Sequence, residues 1–297
     1  FASPKPQYLA LRIVWICAVP VFVALYHDIT RHYLWLPDWD IRIVHEALLL
    51  NDRLPNVTSG HAGFGHFVLL ARLFEVLKFL GVVDAATVSE LPPPPASEII
   101  FQDLVFWGRI VALALTCALA VTILFVAQAI TGSRFYAFLA ALAFSGTQSL
   151  DSQVIVMRSD LSAVVFATLA ILFILLAAKR GDAPAKALVY VGLSAFFAMI
   201  SMYAKASTLP LVLLVPAFAV VFVERNHGHH VPGPPTRLTG GLVAIAVLVG
   251  GLALPELIEA MGGRAILYNG LIAAYVVACL VGYRVLSGGG LGAVIAG

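Results

Sequence analysis

The chain has 297 residues, 61% of them hydrophobic and only 11% charged, with a mean hydropathy of +0.97 and a formal net charge of +2. Soluble domains carry about 25% charged residues. This composition therefore excludes a water-covered globular surface and indicates a polytopic membrane protein. The small net charge gives no footing for nucleic-acid binding. Leu-, Ala- and Val-rich runs separated by polar turns point to helices, because a barrel would show alternating segments of ~10 residues. The expected fold is all-α: a polytopic membrane bundle of about eight transmembrane helices with a long exported first loop that carries interfacial helices.

The first span is expected at Tyr8–Tyr26, long enough for the ~30 Å hydrocarbon core. Arg12 near its start is placed to snorkel, and Pro20 to kink it. No small-residue cleavage site follows, so the span reads as retained. The chain starts at Phe1 and stops in Gly-rich apolar sequence at Gly297, which reads as a fragment of a longer protein. Domain organisation follows as 1–26 (N-terminus and first span), 27–103 (exported loop) and 104–297 (helix bundle).

Within the loop, Pro37-Asp38-Trp39-Asp40 opens a dense polar stretch that runs to His66. A helix is expected over Asp40–Arg53, with Ile41, Val44, Ala47 and Leu48 at helical spacing, Pro37 just outside, and Asp38 or Asp40 as its cap. If the backbone at the motif is extended, Asp38 and Asp40 share a side. If the helix begins at Asp40, one serves as a base and the other caps the helix or pairs with Arg42. A second helix is expected over Gly65–Leu80. It has Leu69, Leu70, Leu73, Leu77 and Leu80 on one side and Arg72, Glu75 and Lys78 on the other. Each charge would cost ~2.5–3.5 kcal/mol at a bilayer centre, so an interfacial helix is favoured over a crossing one. Asp84–Asp103, with Pro92–Pro95, reads as a stiff extended connector.

Further spans are expected at Leu104–Ile130, Phe135–Phe144 and Leu161–Ala178. Two more fall between Lys186 and Val223, with a hairpin near Tyr203–Thr208, and the last two lie at Leu242–Leu257 and Ile266–Val285. Lys/Arg bias in the short loops puts Arg134, Lys179, Arg180 and Lys186 on the cytoplasmic side with the N-terminus. Loop 27–103, the turn 145–160 and the Lys205 hairpin then share the opposite face. Cys17, Cys117 and Cys279 all lie in apolar runs and read as packing residues. His227, His229 and His230 read as a solvated loop opposite the site. Gly288-Gly289-Gly290 lacks the lysine and hydroxyl context of a phosphate loop, so no nucleotide site is expected.

These pieces together resemble the polytopic GT-C glycosyltransferases, a class that includes protein O-mannosyltransferases and lipid A aminoarabinose transferases. The resemblance rests on the acid motif Pro37-Asp38-Trp39-Asp40 opening a helix, Asn51-Asp52-Arg53-Leu54-Pro55, and Gly60-His61-Ala62-Gly63-Phe64-Gly65-His66. Trp107-Gly108-Arg109, Arg158-Ser159-Asp160-Leu161 and Ser201-Met202-Tyr203-Ala204-Lys205-Ala206-Ser207 follow in order. It covers roughly residues 8–223. The chain has Ala62-Gly63 where the class has Pro-Pro, and many members carry later spans and a soluble C-terminal domain.

The resemblance implies transfer of a sugar from a polyprenyl-phosphate donor to an acceptor at the exported face, without a nucleotide. Inverting transfer needs a carboxylate at the acceptor hydroxyl, and Asp38 and Asp40 are the candidates. The bland reading is an N-cap and a solvated acid. Arg158, Lys205 and Arg109 are the candidate phosphate cations. The alternatives are pairing of Arg158 with Asp151 or Asp160, snorkelling of Lys205, and an interior or snorkelling Arg109. His61 and His66 are candidate substrate or metal contacts, against local hydrogen bonding. A divalent cation, the acceptor and further membrane subunits are left open, and a bacterial inner membrane is the expected location. The competing reading is a non-catalytic GT-C-like subunit of a larger complex. A transporter is disfavoured because no inverted repeat or paired broken helices are seen.

Overall fold

The computed structural model describes residues 6–35, 37–55, 63–147, 150, 153–154, 156–179, 184–205 and 208. The described residues form seven α-helices and two short 3₁₀ turns, with no strand among them. The helices are α1 (Pro6–Tyr26), α2 (Pro37–Asn51), α3 (Phe64–Phe79), α4 (Ala96–Thr131), α5 (Arg134–Ser145), α6 (Ser159–Ala178) and α7 (Pro184–Ala204). Three helices, Gln7–Tyr26, Ala96–Thr131 and Ser159–Ala178, are long and apolar enough to cross a membrane, which is compatible with an integral membrane protein.

Several expectations change. Helix α2 begins at Pro37, so the proline is inside it and Asp40 lies a full turn in. A proline suits the first helical position because that N–H would be unpaired anyway. The backbone at the motif is therefore helical, not extended. The buried stripe of α3 is Phe67, Leu70, Ala71, Phe74 and Leu77, while Leu69 and Leu80 are exposed. The expected extended connector ends early, because α4 begins at Ala96, directly after Pro95 at its N-cap. Helix α5 has 12 residues, about 18 Å, which is too short to cross a ~30 Å core as the expected span would. The hairpin expected near Tyr203–Thr208 is described only at 203–205 and 208, and the span after it, the two C-terminal spans, Cys279, the His227–His230 loop and His61 lie outside the described residues.

The described residues fall into two compact units. Residues up to Val165, joined by Tyr203–Lys205, form the first; Phe166–Met202 belong to the second. In the first unit α1, α4 and α5 pack around Ile16, Ala120, Leu124, Ala137 and Ala141. The outer side of α1 leaves Val14, Trp15, Phe22 and Leu25 exposed. Cys117 Sγ meets the Cys17 carbonyl at 3.9 Å across the α1–α4 contact. Helices α2 and α3 pack on the early turns of α4 through Val44, Leu48, Leu70, Phe74, Leu104 and Val105. Asn51 ties this layer together: its Nδ2 donates to the carbonyls of Ala71 and Ala86, both at 2.9 Å. In the second unit α6 and α7 share a core of Ala170, Ile174, Ala177, Val191 and Ala198. There Ser194 Oγ donates to the Ala170 carbonyl at 2.7 Å.

Candidate functional site

The centre of the first unit is a buried ion pair. Asp40, in α2, is wholly buried, and its Oδ2 accepts from Arg109 Nε at 3.0 Å and Nη2 at 2.8 Å. Its Oδ1 accepts from the Met157 amide at 3.2 Å. The third nitrogen of the guanidinium, Nη1, donates to the carbonyls of Ile29 and Arg31. The planar fork of arginine suits such a multi-partner site. Burial pushes the Asp40 carboxyl above its ordinary range, while Arg109 and the Met157 amide pull it back.

Local sequence explains the approach of these segments. Gly108 precedes Arg109 in α4, and a Cβ there would collide with the Met157 side chain. The absence of a side chain leaves room for the Met157 side chain against α4. Seven residues earlier on the same helix, Gln102 holds the same loop: its Oε1 accepts from Tyr33 N at 2.9 Å and its Nε2 donates to the Thr30 carbonyl at 3.1 Å. Residues two turns apart share a helix face, so one face of α4 fixes the whole Ile29–Tyr33 segment.

A second junction adjoins the first. Ser159, two residues after Met157, opens α6. A Cβ on Gly63 would sit 3.3 Å from Ser159 Cβ, and one on Gly65 would sit 3.1 Å from Ala204 N. The start of α3 therefore meets the start of α6 and the end of α7. Lys205, directly after α7, forms an ion pair with Asp160 in the first turn of α6. His66, in the first turn of α3, is fully buried, and neither ring nitrogen has a hydrogen-bond partner among the described residues. Burial lowers its pKa to about 4, so it stands as the neutral imidazole.

The candidate residues divide accordingly. Asp40, Arg109, Arg158, Lys205 and His66 all belong to segments that converge at these two adjoining junctions. Asp38 lies in the first turn of α2, two residues before Asp40. Asp40 pairs with Arg109, not Arg42, and Asp160 pairs with Lys205. Arg109 is interior and does not snorkel. Among the described residues no group of three or more His, Cys, Asp or Glu side chains could hold a metal ion. Asp40 offers no free oxygen edge, since both oxygens are engaged. Gly63, Gly65 and the Met157 amide were not marked as site residues by the sequence. Their signal was the glycine beside each key residue, the usual mark of a close backbone approach.

No protein-family model matches the chain, and no curated protein or solved structure matches it.

Proposed function

We propose that this chain is a membrane glycosyltransferase of the GT-C type. It moves a sugar from a polyprenyl-phosphate donor to an acceptor at the exported face, within a bundle of about eight spans. Its N-terminus is cytoplasmic and its location a bacterial inner membrane. The observation that supports this most is the junction itself. The acid-bearing first turn of α2 is joined through Arg109 and the Met157 amide to the segment that carries Arg158. The Lys205 end of α7 closes on the same segment.

In this reading Asp38 is the base. It takes the proton of the acceptor hydroxyl as that oxygen attacks the anomeric carbon. The bond from that carbon to the phosphate oxygen breaks, and the lipid phosphate leaves with the electron pair. Arg158 and Lys205 meet its charge. Asp40 and Arg109 are positioning residues, because their polar atoms are already committed to each other and to backbone. His61 is a candidate substrate contact, whereas His66, fully buried, supports the start of α3.

Purified protein in vesicles with lipid-linked sugar donors tests the assignment. Asp38→Asn lowers kcat by about 100-fold or more, the range expected for a lost general base, with an unchanged melting temperature. Full activity in Asp38→Asn would end the assignment. The complete burial of Asp40 in a structural pair also favours the second reading, a non-catalytic subunit of a larger assembly. That reading predicts stoichiometric co-purification with other membrane chains and no transfer by the isolated protein.

A further inference from the structure

The two ion pairs at the adjoining junctions differ in how they can respond to a ligand. The Arg109 and Asp40 side chains are 2% and 0% exposed, and every polar group of that pair is engaged. The Lys205 and Asp160 side chains are 32% and 42% exposed. An ion pair open to water holds its members weakly, because water and salt compete for both. We propose that Asp160 is a stand-in for the donor's phosphate: it holds Lys205 in the free protein and releases it to a phosphate ester when the lipid donor arrives.

The placement of the two groups makes the exchange feasible. Asp160 lies in the first turn of α6, where the positive end of the helix dipole stabilises a carboxylate that has lost its cation. Lys205 lies just past the end of α7, where the negative end favours a cation. Neither charge is stranded in the intermediate state. The donor's phosphate is a diester with one charge, like the carboxylate it replaces, and it gains its second charge as the lipid monophosphate leaves, when Lys205 holds it most strongly. Arg158 is one residue before α6 and only partly buried, so it is placed as a second contact. Arg109 cannot serve, since releasing it would leave Asp40 as a buried unpaired charge. The inference rests on the donor-phosphate reading and adds the competition that sets its affinity.

The test measures binding of farnesyl phosphate, inorganic phosphate and farnesol to the full chain in detergent, with no acceptor present. Asp160→Asn keeps a residue suited to a helix start and removes the carboxylate that competes for Lys205. It binds farnesyl phosphate about threefold or more tightly than wild type. Lys205→Met weakens binding about tenfold or more, and the double variant behaves as Lys205→Met. Lys205→Gln replaces Lys205→Met should the latter fail to fold. Farnesol binding is the same in all variants. Unchanged or weaker binding in Asp160→Asn overturns the proposal, as does a gain that survives loss of Lys205. Failure of both wild type and Asp160→Asn to bind farnesyl phosphate also overturns it. Inorganic phosphate binding as tightly as farnesyl phosphate overturns the assignment to a lipid donor. Tighter binding without sugar transfer from any donor leaves the exchange standing and ends the transferase reading. Transfer with no change in Asp160→Asn does the reverse.

Discussion

Taking a carboxylate and a guanidinium out of water costs several kcal/mol per ion, and only good geometry with further hydrogen bonds offsets that. Asp40 and Arg109 meet the condition, since the pair is completed by the Met157 amide and the Ile29 and Arg31 carbonyls. Asp40→Ala should therefore destabilise the protein by about 3–5 kcal/mol. Asp40→Leu combined with Arg109→Met should lose less than the two single changes summed. Chemical denaturation in detergent reads both, and additive losses would show that the pair is not coupled. His66 poses the opposite case, a polar ring buried without partners among the described residues. Its folded pKa, about 4, lies below the ordinary 6.5. The fold holds the neutral ring and resists its protonation. That contribution is fully present above pH 6.5 and is lost as pH falls towards 4, on the order of 3 kcal/mol in all. A melting temperature that drops over this window in wild type and not in His66→Leu is the expected result. Parallel profiles would assign the acid sensitivity to other groups.

At the scale of elements, the helices were legible where apolar spacing is regular. Val44, Ala47 and Leu48 repeat at helical intervals and are all wholly buried. The start of α4 was not legible, because four consecutive prolines read as an extended rod, whereas Pro95 also suits the position before a helix. The face of α3 was misjudged through its many leucines. Burial follows the spacing of Phe67, Leu70, Phe74 and Leu77, and leaves Leu69 and Leu80 outside. The Asp40–Arg109 pair joins residues 69 apart, and nothing local in the sequence announces such a partner. Both were singled out separately for their charge in an apolar chain, and that much of the site was readable. Gly108→Ala gains intrinsic helix propensity, yet its methyl would strike the buried Met157 side chain. A net loss of about 1–3 kcal/mol is expected from such overpacking. A neutral or stabilising result would mean that the Met157 segment moves aside freely.

At the scale of the whole molecule, α4 has 36 residues, about 54 Å of helix, well beyond the ~30 Å hydrocarbon core. Arg109 is 22 residues before Thr131, about 33 Å along the axis, so a span ending at Thr131 brings Arg109 to the opposite interface. Single cysteines introduced at exposed sites between Ala96 and Gln102 should react with a water-soluble maleimide, and ones between Val111 and Ala127 should not. Equal labelling along the helix would contradict this placement. The same continuity gives α4 a mechanical character. The arm from Ala96 to Gly108 is about 20 Å long and is rigidly continuous with the span below it. Spans tilt when bilayer thickness changes. A tilt of about 10° would swing the tip of that arm by roughly 3–4 Å, by simple leverage on a straight rod. In the membrane placement proposed above, α4 would couple bilayer thickness to the carriage of the acid motif as one unbroken lever.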